Sequence, residues 1–148
     1  MHSPNGYILD TNILVALIRD NELGHALDAE YGLRTSLANS MISVVTVGEM
    51  LALARKLSWG QGKITSLYEM MQELVWIDIN SWDILEAYSE IDARLESRGV
   101  RIGKNDLWIA ATTKVTGATL LTTDADFKRV DEGMIALQWI DPDTRGES

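Results

Sequence analysis

The chain has 148 residues, no cysteine, and 13 basic against 22 acidic residues, for a formal charge of −9. That length suits a single domain over residues 1–148 with a proper core, and the missing cysteines exclude disulfides, thiolate metal sites and a cysteine nucleophile while fitting a reducing cytoplasm. The acidic balance excludes a simple electrostatic clamp on nucleic acid, which needs a basic face, unless several acids converge on divalent cations and invert the local field.

Met1 to Gly6 lacks the charged lead-in and apolar region of a secretion signal, and no apolar run approaches the ~18 residues needed to span a bilayer, so a soluble cytoplasmic protein without a membrane partner is expected. Tyr7-Ile8-Leu9 is short and β-friendly, Asp10-Thr11-Asn12 breaks it, and Ile13 to Ile18 resumes as a helix. Asp10 is therefore either a helix N-cap, a role Thr11 or Asn12 could fill as well, or a functional group at a strand's carboxyl end. Between residues 20 and 39, the Ala26-Leu27 and Tyr31–Leu33 groups predict a second short helix. Met41 to Val45 predicts a strand. Thr46-Val47-Gly48-Glu49 then opens a helix with apolar positions Met50, Leu51, Leu53, Ala54 and Leu57, and Thr46 with Glu49 matches a capping box.

After the turn-rich break Ser58 to Gly62, Ile64, Leu67, Met70, Met71 and Leu74 mark an amphipathic helix, and Val75 to Ile79 a third strand. Asn80-Ser81 should cap a longer helix whose buried stripe is Ile84, Leu85, Tyr88, Ile91 and Leu95, with Asp83, Glu86, Glu90, Asp92 and Glu96 on a solvated face. The glycine-punctuated loop Ser97 to Lys104 brings three cations, Arg98, Arg101 and Lys104, toward Asp106. Beside a carboxylate cluster they are candidate RNA contacts, and otherwise an ordinary solvated loop. Lys104 to Thr113 reads as a buried helix closed by a C-cap at Gly117, and its one carboxylate, Asp106, in the first turn complements the helix dipole by roughly 0.3–1 kcal/mol. Thr119 to Thr122 predicts a fourth strand ending in Thr123-Asp124-Ala125-Asp126-Phe127. Met134 to Ile140 predicts a fifth, and the polar tail Asp141 to Ser148 is expected to fray.

Strands alternating with helices imply an α/β fold, a three-layer α/β/α sandwich around a mostly parallel sheet whose strand ends share one edge. Asp10 and Asp124 follow strands, and Glu49 and Asp106 fall in the first turns of helices starting at the same edge, so all four can face one cleft. Packing such carboxylates together costs several kcal/mol unless protons or cations neutralise them. Oxygen ligands without histidine or cysteine suit Mg2+ or Mn2+, and the chemistry implied is phosphodiester hydrolysis.

Ile8-Leu9-Asp10-Thr11-Asn12, Ser43 through Glu49, Asn105 through Ala111 and Leu121 through Phe127 together resemble the PIN-domain family, in order and across nearly the whole chain. Single-domain chains of this length resemble VapC-type toxins of toxin-antitoxin pairs, which implies an Mg2+- or Mn2+-dependent endoribonuclease, a homodimer, and an antitoxin lying across the acidic cleft. By that resemblance Asp10 and Asp106 are the main metal ligands and Glu49 and Asp124 complete the set. Thr11, Asn12 and the Thr122 or Thr123 hydroxyl orient them, and Asp126 either replaces Asp124 or caps a short helix. Two other readings stay open: phosphoryl transfer through an aspartyl-phosphate on Asp10, against which Asn12 stands where such enzymes carry a second aspartate, and a non-catalytic module that holds a basic peptide.

Overall fold

The structure, a computed structural model, describes residues 5–145; Met1 to Pro4 and Gly146 to Ser148, with the expectations made for them, lie outside the described residues. Five short strands form its centre: β1 (Tyr7–Leu9), β2 (Ser40–Ser43), β3 (Val75–Ile77), β4 (Thr119–Thr122) and β5 (Ala136–Trp139). They pair in the order β3-β2-β1-β4-β5, and every pairing is parallel. The chain leaves β1 for β2 on one side and reaches β4 on the other only after β3 and two helices. A topological switch point therefore opens between β1 and β4, where a parallel α/β sheet leaves a crevice at its strands' carboxyl ends.

Six helices cover the sheet: α1 (Thr11–Arg19), α2 (Glu22–Tyr31), α3 (Val44–Lys56), α4 (Gln61–Glu73), α5 (Trp82–Ser97) and α6 (Lys104–Thr116). The two-residue period of a strand divides the core between its faces. Leu9, Ile42 and Leu121 point into one cluster with Ile13, Leu17, Met50 and Leu67 from α1, α3 and α4. Ile8 and Leu120 point into the other with Ile91 and Leu95 from α5, Ile109 and Ala110 from α6, and Phe127. The sandwich expected from the alternation of elements is thus the one observed.

Several local expectations are corrected. Helix α3 begins at Val44, where the Ser43 side chain accepts from the Val45 amide, so the cap is Ser43 rather than a Thr46–Glu49 box. The β-branched pair Val44-Val45 reads as strand, but a capping serine just ahead of it fixes the helical start. Glu49 consequently lies in the second turn, and the Thr46 hydroxyl is buried without a hydrogen-bond partner among the described residues. Leu85, expected in a buried stripe, is 40% exposed, and of the apolar positions with helical period on α3, Leu51 and Leu57 are 38% and 45% exposed. On α5 the place expected of Leu85 is taken by Ala87, whose small side chain allows close approach to α6. Residues 141–145 of the tail are also held, by a turn closed from the Thr144 amide to the Asp141 carbonyl and by an Arg145–Glu22 ion pair at 3.0 Å.

Candidate metal centre

The carboxyl edge of β1 ends in Asp10, which is 4% exposed and serves as N-cap of α1 by accepting from the Thr11 amide at 2.8 Å. The other oxygen, Oδ2, accepts from the Thr122 hydroxyl at 2.7 Å and from the Asn12 side-chain amide at 3.3 Å. A carboxylate has about four lone-pair sites, so these three bonds fix its orientation and leave one site free for a cation. The capping role and the functional role are therefore compatible.

Asn12 links the two sides of the switch point. Its Nδ2 donates to Asp10 while its Oδ1 accepts from the Thr123 amide at 3.0 Å, so the turn after β4 is fastened to the turn after β1. An aspartate there could not donate, and would add a charge beside Asp10. Thr122 acts in the same way, its hydroxyl accepting from the Asp124 amide at 2.9 Å as it donates to Asp10. Trp139 steadies that turn from β5, donating its indole N–H to the Thr123 carbonyl at 3.0 Å. Thr123 thus contributes backbone groups, and the bond expected of a threonine hydroxyl in this turn is made by Thr122.

Asp106 stands in the first turn of α6, as its helical reading requires. Asp106, Asp124 and Asp126 each offer a carboxylate oxygen, and these oxygens lie within 4.8 Å of one another. Asp126 returns to the cluster because Asp124 caps a 3-10 turn over Ala125–Arg129 and its carboxylate accepts the Asp126 amide, which folds the chain back on itself. Burial, and then the charges of Asp124, Asp10, Glu49 and Asp126 in that order, push the Asp106 carboxyl up from 3.8 to about 7. Asp10 and Glu49 are also raised, chiefly by burial. Asp124 adds to the effect on Asp10 and Asp10 to that on Glu49, against hydrogen bonds that favour the ionised forms. All five acids therefore share one electrostatic neighbourhood.

Glu49 reaches this neighbourhood from α3, where the Thr11 hydroxyl donates to its Oε1 at 3.3 Å and Asn105 supplies a second hydrogen bond. The sequence reading did not single out Asn105. A polar residue beside Asp106 in a first turn looks like helix-end decoration, and only the packing of α3 against α6 gives it a target.

The three loop cations are less uniform. Arg98 ends α5 and pairs with Asp131, which Arg94 also holds at 2.8 Å. Arg101 and Lys104 line a cleft beside α5 together with Asp92 and Glu96. The charges that act most on Asp106 are those of the other acids, and none of these three cations ranks among them.

A hard divalent cation fits the donor set: the Asp106, Asp124 and Asp126 oxygens within 4.8 Å of one another, the Asp10 and Glu49 carboxylates acting on them from beside, and a carboxyl already driven toward neutrality by its burial and its neighbours. A wholly parallel α/β/α sandwich with acids gathered at its switch point is the class that fold and site define. Within that class the chain belongs to the PIN domain family, whose family model matches residues 7–133. Ribonuclease VapC2 of Rickettsia felis is 30% identical over 133 residues, covering 84% of this chain and 91% of that protein. Ribonuclease VapC2 of Haemophilus influenzae is 26% identical over 125 residues with the same coverage. Among solved structures, VapBC2 from Rickettsia felis bound to a DNA fragment from their promoter aligns with a TM-score of 0.73 at 28% identity, covering 91% of this chain and 98% of that one.

Proposed function

We propose that the chain is an Mg2+- or Mn2+-dependent endoribonuclease and the toxin of a type II toxin-antitoxin pair, active in the cytoplasm. The observation that carries this reading is the gathering of the Asp106, Asp124 and Asp126 carboxylate oxygens within 4.8 Å of one another, with Asp10 and Glu49 near enough that their charges help drive Asp106 up to about 7. Chains named as ribonucleases support the substrate, and VapBC complexes among the structural neighbours support a cognate antitoxin.

In this reading Asp10 and Asp106 hold the cation, while Glu49 and Asp124 complete the set with Asp126 beside them. When bound, the cation supplies Lewis acidity, both toward an attacking water and toward the charge that develops on the phosphate oxygens. Thr122, Asn12 and the Thr11 amide fix the Asp10 carboxylate, and the Thr11 hydroxyl with Asn105 fixes Glu49, so neither must reorganise as substrate arrives. The antitoxin would cover this acidic mouth with a basic or aromatic segment, and the working toxin would be a homodimer. Among the described residues no helix is long and apolar enough to cross a membrane.

Purified protein should cleave RNA with Mg2+ or Mn2+ and stop with EDTA, and Asp10→Asn should abolish cleavage while leaving the fold intact by circular dichroism. Undiminished metal-dependent cleavage by a folded Asp10→Asn protein would end the proposal. The aspartyl-phosphate alternative loses its support here, because the position where such enzymes place a second acid is Asn12, whose amide is spent joining Asp10 to the Thr123 backbone.

A further inference from the structure

Beside the acidic cluster an open groove of about 600 Å³ runs along α3, with Glu49, Thr11 and, from the start of α6, Asn105 at one end, Val45, Gly48 and Leu53 along its wall, and Lys56 at the other. Two features of α3 leave room and charge for a ligand. Gly48 is an exposed glycine in the helix interior, where glycine is destabilising relative to alanine, yet a Cβ built there would meet no atom within 4 Å. Nothing in the chain needs the space a side chain would fill. Lys56, in the last turn of α3 where a cation complements the helix dipole, is exposed and pairs with no carboxylate among the described residues, so its ammonium is available to an incoming anion.

Glu49 and Lys56 are seven residues apart on one helix, so the groove spans two turns, or about 10 Å. That is the reach of a nucleotide or two along an extended strand. A polar end at the acids, an apolar wall and a free ammonium match, in order, a phosphodiester being cut, the base and sugar beside it, and the next phosphate. A basic peptide would meet Lys56 as a like charge. A paired base remains in its stack and cannot enter, whereas an unpaired base can be splayed into such a slot.

We infer that this groove seats one unpaired RNA nucleotide flanking the cleaved bond, with Gly48 leaving room for it and Lys56 neutralising the phosphate beyond. The inference rests on the ribonuclease reading above, and the two can fail separately. Binding of a fluorescein-labelled single-stranded RNA of mixed sequence is measured by anisotropy across a salt series, in an Asp106→Asn background that prevents cleavage. Cleavage is measured in parallel without that substitution. Gly48→Leu should weaken RNA binding and raise KM on the order of tenfold through steric displacement. It should leave the melting temperature and Mn2+ binding, measured calorimetrically without the background substitution, unchanged. Gly48→Ala should raise the melting temperature with a smaller effect on RNA. Lys56→Gln should lower the slope of log affinity against log salt by about 0.7, the share of one phosphate contact on a single strand.

Folded Gly48→Leu and Lys56→Gln proteins with unaltered RNA affinity and salt slope would overturn the inference while the ribonuclease reading stands. Loss of antitoxin binding by Gly48→Leu with RNA binding intact would overturn it too, since the groove would then belong to the protein partner. Failure of the unsubstituted protein to bind or cut any RNA with Mn2+ would remove the ribonuclease reading itself.

Discussion

Asp106 and Asp131 are acids in crowded electrostatic surroundings that have been resolved in opposite ways. At Asp131, hydrogen bonds and charge from Arg94, with Arg98 on the other oxygen, hold the carboxyl below the usual aspartate range. At Asp106 the acting charges are carboxylates, and the group is driven up to about 7. The same chain thus pairs an acid with two arginines where the task is to tie α5 to the segment before β5, whereas at the sheet's mouth Arg129 reaches only Asp126, at 4.0 Å, and Asp106 is held by no ion pair among the described residues. Charge left uncompensated by the protein is charge arranged for something that arrives.

The largest effect that sharpens this contrast is a trade between stability and activity at Asp106. Because its folded value of about 7 lies above the ordinary 3.8, the folded chain between those values holds a proton that the unfolded chain has released. The stability this contributes is complete below the ordinary value and is lost as pH rises through about 7. Asp10 and Glu49 shift in the same direction. In EDTA the melting temperature should therefore fall between about pH 5 and about pH 8, and Mg2+ or Mn2+ should restore more of it at the higher pH. Asp106→Asn should lose cleavage entirely, melt higher than the unsubstituted protein in EDTA at the higher pH, and gain little from the metal. A melting temperature in EDTA that is flat across that range would contradict the repulsion described for this site.

A smaller effect separates the acids from the groups that hold them. Thr122 is fully buried, and its hydroxyl joins Asp10 to the Asp124 amide across the switch point. Thr122→Val keeps the shape and removes both bonds, so metal affinity and cleavage should each drop by about 10- to 100-fold, the usual cost of losing an orienting group behind a metal ligand. Thr122→Ser should recover most of that loss. Equal defects in the two variants would mean that the methyl group, rather than the hydroxyl, is what matters.

These sites were unequally legible in the sequence. Asp10, Asp106 and Asp124 announce themselves because each follows a change of hydrophobic period, and a parallel sheet collects such junctions at one edge. Glu49 was found for the wrong local reason: the helix begins at Val44 with Ser43 as its cap, and the acid reaches the cleft from the second turn through its longer side chain. Asp124 was preferred to Asp126, but the structure brings both into the cluster, since a 3-10 turn and a longer helix differ in sequence by too little to show that the chain folds back. Asn105 and Trp139 were invisible because their partners, Glu49 and the Thr123 carbonyl, are brought to them by packing between elements rather than along one. Arg98 shows the reverse: a glycine-rich loop advertised a mobile cation, but the helix runs on to Ser97 and delivers that arginine to Asp131.

The smallest effect is expected at Asp131 itself, and it is the control that gives the others meaning. Its lowered value gives the opposite sign from Asp106: the stability it contributes is present above the ordinary aspartate value and is lost as pH falls through the lowered one. Asp131→Asn removes a partner from two arginines that remain in contact with solvent, which can rehydrate at little cost. Cleavage should be unchanged, and the melting temperature near neutral pH should fall slightly in low salt, by less as salt screens the pair. If this substitution impaired cleavage as strongly as Thr122→Val, the arginine-held acid and the carboxylate cluster would be coupled, and the division between structural and reactive charge drawn from their opposite shifts would not hold.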